Sequence, residues 1–375
     1  MTHAIGMKKL YGVSGVRALV PWFARLAISA GVLSSLTSCE SGIQPQLEPR
    51  YLLYAAMHGV SEGSIAVIDC ATDSVIDSVT RGFQSSPGVV ASPDGKYFAV
   101  LGSNRPPEIF EASSRTQITY LAAPSLPAVF LPSAHMILAP DYDSTRVYTI
   151  PGFEYRETWP RPCWLTEPAG SDGRTASLDS QREQPPRHDL HKIVVFDPNG
   201  TPVDSFSIKH GDTALSIGAF TFSPNGNRFY ALAYGIQGGP FLAGYDVSNH
   251  SLLFLQPAGA FQHCRVSPDG LEVWTTDHGD LLGFAPDWHG RIDVYDASTG
   301  FHKDTVPITG YYADPNRTLA PSNIRFLPGS DKVYVNSVAG LQPLLVINAR
   351  TKTVGKLIFP NFNRWVEDID LAPRP

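Results

Sequence analysis

The side chains best equipped for chemistry crowd into the last third of the chain. Asp277, His278 and Asp280 stand almost side by side, and Asp287, Trp288 and His289 follow on the same segment. Carboxylate oxygens and neutral imidazole nitrogens so close in sequence are donors that a divalent transition metal accepts. A bound divalent ion at Asp277, His278 and Asp280 is one expectation, and a solvated acidic loop is the other. Motifs with stricter chemistry are absent. There is no HExxH, no calcium-loop pattern, no CxxC, no phosphate-binding lysine loop and no GxGxxG after a strand, and the GxSxG spacing at Gly59 to Gly63 lies between the strand-like runs 51–54 and 65–69, so it makes no strand-to-helix elbow. Zincin proteolysis, serine-elbow hydrolysis, ATP turnover and dinucleotide binding therefore have no template here.

Three pairs of polar residues flank this segment, each pair two positions apart: His263 with Arg265, Asn323 with Arg325, and Asp368 with Asp370. Residues i and i+2 of a strand share a face, so each pair presents both side chains to the same surroundings. One reading makes His263, Asn323, Arg325, Asp368, Trp365, Trp288 and His289 the lining of a polar and aromatic ligand pocket. The other makes Arg265 and Arg325 internal ion partners of Asp370, because nearly buried charges are usually paired. The residues alone leave both readings open.

A repeat is what could bring such distant segments together. Seven short apolar runs end in a turn proline: 89–93, 128–132, 164–168, 220–224, 264–268, 324–328 and 369–373. Their prolines recur on average about every 47 residues, within the roughly 40 to 50 of four-stranded propeller blades. Three runs continue as Ser92-Pro-Asp-Gly95, Ser223-Pro-Asn-Gly226 and Ser267-Pro-Asp-Gly270, where proline presets one turn dihedral and glycine accepts a positive one. Aromatic and β-branched strands follow, such as 97–101, 228–232, 271–275 and 332–336. Most units then add an apolar strand, an Asp or Asn, a small polar turn and a last strand, as in 65–69 before 74–78 and 345–348 before 353–357. Each unit thus offers four strands, A to D.

The SPDG and SPNG turns, Val333-Tyr-Val-Asn336 and the strand-Asp-turn unit from Ile65 to Val79 resemble the YVTN-type seven-bladed β-propeller repeats of bacterial secreted and surface proteins. The resemblance covers residues 51 to 373 and is weakest from 141 to 190. It implies an all-β fold, a seven-bladed β-propeller with four-stranded antiparallel blades, and it specifies fold better than function. The leading expectation is a noncatalytic binding or protein-assembly module. Resembling propellers also include lactonases, which hold a divalent metal in the channel mouth, and quinoprotein-type dehydrogenases. The alternative is thus a metal-dependent lactonase-like hydrolase or a quinoprotein-like oxidoreductase, although only Asp368 and Asp370 echo the acidic pair such a metal needs.

The ends point the same way. The body starts on a B-type strand, Tyr51 to Tyr54, and finishes on an unpaired A-type strand, Val366 to Leu371. Pairing them closes the ring and removes an exposed sheet edge. In that register the B-to-C segments 179–190, 233–240 and 277–290 and the D-to-A segments 209–215, 308–321 and 359–365 share one face. Long loops on a rigid scaffold make that face the candidate binding surface.

Residues 1–38 hold Lys8, Lys9, Arg17 and Arg25 without an acid, then an apolar stretch from Leu26 to Leu36, the layout of a secretory signal. Leu36-Thr-Ser-Cys39 resembles the bacterial lipobox, which implies that Cys39 becomes the lipidated first residue and ties the protein to a membrane. Residues 39–50 read as a tether and 51–375 as the propeller. Glu40 after the cysteine fits the outer membrane of the cell envelope, facing the periplasm or the cell surface. Loss of the signal moves the formal charge from −6 to about −10. Such an acidic body provides no global field for nucleic acid. The expected partners are the membrane, through the lipid, and an envelope protein or small-molecule ligand.

Charged residues are only 17% of the chain, while Gly and Pro number 32 each, which suits turn-rich β structure rather than coiled coil. Cys70, Cys163 and Cys264 are too scattered for a disulfide framework and read as buried thiols.

Overall fold

The computed structural model describes residues 50–375 except 59–62, 84–87, 103–104, 124–127, 132–134, 142–143, 160–165, 170–171, 182–189, 235–239, 260–262, 278–289, 309–318, 339–342 and 360–364. All belong to one compact unit, Glu48–Pro375. The apolar runs form antiparallel strands, and seven sheets of four strands stand in a ring. No helix occurs among the described residues.

Blade 1 is built from both ends of the propeller: the inner strand Trp365–Pro373 pairs with Tyr51–His58, followed outward by Gly63–Asp69 and Ser74–Phe83. Its seam runs from Tyr51 opposite Pro373 to His58 opposite Trp365, with one irregularity between Ala56 and Met57. Blades 2 to 7 follow in chain order. Their inner strands are Gly88–Ala91, Val129–Phe130, Thr166–Pro168, Ser216–Phe222, His263–Val266 and Pro321–Phe326.

The serine turns explain how each inner strand hands over to the next. Ser92 Oγ donates to Asp94 Oδ1 at 2.7 Å and accepts the Tyr97 amide at 2.9 Å, while the Gly95 amide donates to the Ser92 carbonyl. Ser223 with Asn225 and Ser267 with Asp269 repeat the arrangement. Gly95 is needed twice over. Its φ is +73°, and a Cβ there would lie 2.0 Å from the Pro373 carbonyl oxygen of the closing strand.

At the outer turns, the Asp or Asn that ends strand C accepts amides of the turn. Asp296 takes those of Ser298 and Thr299, and Asn348 those of Arg350 and Thr351. These bonds, with the Ser298 hydroxyl first among them, lower Asp296 to about 2.

The core lies between blades rather than inside one of them. Leu52, Tyr54 and Ile65 of blade 1 pack on Phe98, Val100 and Phe110 of blade 2, and Trp274, Ile292 and Val294 of blade 6 on Ile324, Val333 and Val335 of blade 7. Fully burying one such side chain is worth about 1.5–3 kcal/mol, so packing sheets face to face stabilises the ring. Between blades 3 and 4 the apolar cluster among the described residues is Trp159 against Val194 and Phe196.

Segment 209–215 connects blade 4 to blade 5 and carries a small hairpin, Lys209–His210 with Thr213–Ala214, pinned by the Tyr245 hydroxyl to the backbone of Lys209. One sequence expectation needs correction. In blade 4, Pro168 sits within the inner strand instead of opening the turn. The amide of Ala169 donates to the carbonyl of Arg174, just as Ser92, Ser223 and Ser267 donate five residues ahead. Ala169, not the residue before Pro168, therefore occupies the turn serine's place, and blade 4 is shifted by two positions.

Candidate functional site

With that shift applied, the position two before each turn residue reads Asp370, Val90, Val129, Glu167, Thr221, Arg265 and Arg325 for blades 1 to 7. All seven line one cavity of about 530 Å³ on the ring axis, together with Pro93 and Pro224 at the A-to-B turns and Pro168 at the end of the blade 4 inner strand. The strands thus bring residues from across the chain into a single belt, apolar at blades 2 and 3 and charged at blades 4, 6, 7 and 1.

Charges that face so little water need partners. Arg325 Nε donates to Asp370 Oδ1 at 2.9 Å, with about a fifth of each side chain exposed. Arg265 Nη1 pairs with Glu167, across Thr221 of the intervening blade. The charge reading of the sequence had both arginines facing Asp370; Arg265 turns to Glu167 instead. Glu167 escaped sequence reasoning because blade 4 lacks the serine-proline turn that marks the register, and its Gly173 follows Ala169 by four positions where Gly95, Gly226 and Gly270 follow their serines by three.

Two residues nearer the other rim lies a second tier holding His263, Asn323 and Asp368. Asn323 Nδ2 donates to Asp368 Oδ1 at 2.6 Å, and the Ile324 amide donates to His263 Nδ1 at 3.4 Å. Asn323 is aimed by Asn336, which accepts its amide at 2.7 Å and donates to the carbonyls of Val366 and Glu367. Both aspartates also reach backward: Asp368 accepts the Val89 amide at 3.1 Å, and Asp370 that of Ala91 at 2.8 Å. The closing strand is therefore held by side chains of blade 7 on one side and by the backbone of blade 2 on the other.

The electrostatics follow from this enclosure. These side chains keep some surface toward the channel, yet protein surrounds them on every other side. Burial, aided by the charges of Arg265 and Arg325, pushes the His263 imidazole well below its ordinary value, so it is neutral at pH 7. Burial raises Asp368 to about 6 against the opposing charge of Arg325. For Arg325, burial opposes ionisation, but Asp370, Asp368 and Glu167 outweigh it and hold the guanidinium above its usual value.

Of the sequence candidates, His263, Asn323, Arg325 and Asp368 come together on this wall. Trp365 lies in the closing strand opposite His58, with its side chain outside the described residues. His278, Asp280, Asp287, Trp288 and His289 also fall outside them. Asp277, expected on a loop, instead ends the buried strand Glu272–Asp277, with Arg291 Nη2 at 3.6 Å. Among the described residues no group of three or more His, Cys, Asp or Glu side chains could hold a metal ion. Cys70 and Cys264 are buried free thiols, and Cys163 is not described.

The fold is shared with solved structures. One is titled dihydro-heme d1 dehydrogenase NirN in complex with DHE, with a TM-score of 0.56 at 12% identity, over 83% of this chain and 63% of that one. This chain thus spans less than two thirds of that protein. In all, 1398 solved chains match, so the likeness establishes a β-propeller and singles out no activity. No protein-family model and no curated protein matches the sequence.

Proposed function

We propose that this chain is a lipid-anchored β-propeller of the bacterial cell envelope that works as a noncatalytic binding or assembly module. The observation that carries the reading is the pairing of the axial charges among themselves: Arg325 with Asp370, Arg265 with Glu167, and Asp368 with Asn323. Groups committed to one another stiffen a channel and keep a fixed surface for recognition. Catalysis by Asp368 and Asp370 through a divalent cation fits this wall poorly. A cation between them would meet the Arg325 guanidinium, which already occupies Asp370. The Cys39 lipid supplies attachment, and the face of the long loops, rimmed by His263, Asn323 and Asp368, supplies recognition.

Fractionation of cells expressing the full chain tests the anchor. The protein is expected in the envelope fraction, and Cys39→Ser is expected to release it. A Cys39→Ser protein that stays as firmly membrane-bound would overturn the anchoring. Crosslinking in intact envelopes tests recognition. A discrete partner is expected and should be lost in Asn323→Ala, which removes a rim donor. Substrate turnover by metal-loaded full chain that vanishes in Asp368→Asn would overturn the noncatalytic reading.

A further inference from the structure

The belt around the axial cavity arranges its charges in an order that pairing alone does not require. Around the ring, Glu167 of blade 4 is negative, Thr221 neutral, Arg265 and Arg325 positive, and Asp370 of blade 1 negative. The two guanidiniums are neighbours and their acids lie on the far flanks. Each arginine has five N–H donors. Arg325 uses Nε on Asp370 and Nη1 on the carbonyl of Ile324, and Arg265 uses Nη1 on Glu167. Arg325 Nη2 and Arg265 Nε and Nη2 hold no partner among the described residues. Across the cavity, Val90 and Val129 present an apolar wall.

We propose that the axial cavity binds a small organic monoanion, a carboxylate with an apolar body, between Arg265 and Arg325. One carboxylate placed there turns the order of the blades into alternating charges, Glu167, Arg265, ligand, Arg325, Asp370, and offsets the like charges of two neighbouring blades. The guanidinium fork matches a carboxylate's two oxygens. A dianion fits less well, since its second charge faces Glu167 and Asp370. The apolar body rests on Val90 and Val129. A volume near 530 Å³ falls within the ~300–1,000 Å³ of small-molecule sites. This site opens among the A-to-B turns, on the opposite rim from the long loops, and needs neither the lipid nor a partner protein. Its failure leaves the proposed recognition face untouched.

Calorimetric titration of the full chain in nonionic detergent with 2-naphthoate, 2-naphthamide and 2-naphthylmethylamine provides the test. Saturable binding of the acid is expected, weakened by salt, with the neutral amide at least about tenfold weaker and the amine not bound. Arg265→Lys, which keeps charge but loses the fork, should weaken the acid about tenfold. Val129→Trp fills the cavity from its apolar side without touching an ion pair, and should abolish binding while thermal unfolding stays cooperative. No saturable binding of the acid, equal binding of the amide, or undiminished binding in Val129→Trp would each overturn the proposal.

Discussion

Among the described residues, the inner strands of blades 7 and 1 run six and nine residues, whereas those of blades 3 and 4 run two and three. Where blade 7 meets blade 1, Tyr334 donates to Asp73 at 2.6 Å, Lys332 binds the same carboxylate and the Cys70 carbonyl, and Arg325 and Asn323 grip Asp370 and Asp368. Where blade 3 meets blade 4, the apolar contact among the described residues centres on Trp159, stacked on Phe196 at 4.8 Å. The hydroxyls of Thr175 and Ser177 are buried nearby with no partner among the described residues. The lesson concerns connectivity. The closing strand has no turn linking it to the rest of its own blade and is held there by hydrogen bonds and apolar packing, so directional contacts from both neighbours help fix its register. Blades 3 and 4 are each a continuous stretch of chain and tolerate a looser junction.

The largest effect should come from ending the chain before Trp365. That removes the partner of Tyr51–His58 and leaves an open edge. Loss of cooperative thermal unfolding, with aggregation, is expected by circular dichroism. Next is Arg325→Met, which leaves Asp370 without its counterion at about 3 kcal/mol in a urea titration. A cost under about 1 kcal/mol would mean that the clasp contributes little.

Acidity sharpens the same contrast. Asp368 faces Arg325, Asn323, Asp370 and the Val89 amide, and its folded value near 6 lies above the unfolded 3.8. The folded chain holds the extra proton between those values, so stability falls as pH rises through this window. The slope is at most about 1.4 kcal/mol per pH unit. Asp368→Asn should flatten that part of the profile, and an unchanged slope would remove Asp368 as its source. The smallest effects separate the two junctions directly. Tyr334→Phe should cost about 1 kcal/mol, while Thr175→Val, which removes a buried hydroxyl without a partner among the described residues, should be neutral or stabilising. Equal losses from both would erase the distinction.

The strong arc was also the readable one. Seven inner runs, the serine-proline turns and the unpaired ends lie openly in the sequence, because turn chemistry and two-residue alternation are local properties. The pairing of Arg265 with Glu167 is not local, since it depends on a register set 98 residues away. Blade 4 hid that register by carrying Ala169 where its counterparts carry serine, with a proline two positions early. Likewise Asp277 looked like a loop residue because nothing in its neighbours reveals that strand Glu272–Asp277 continues to it. The partners of Asp368 come from blades 7 and 2 and become visible only when the ring is closed.

The ring's dependence on its last strand is tested most directly by amide hydrogen exchange on the full chain, followed by peptide mass spectrometry. Residues 51–58 and 366–373 should exchange together, at the slow rate of global unfolding. Fast exchange of the C-terminal strand while the strands of blades 5 and 6 stay protected would contradict that dependence.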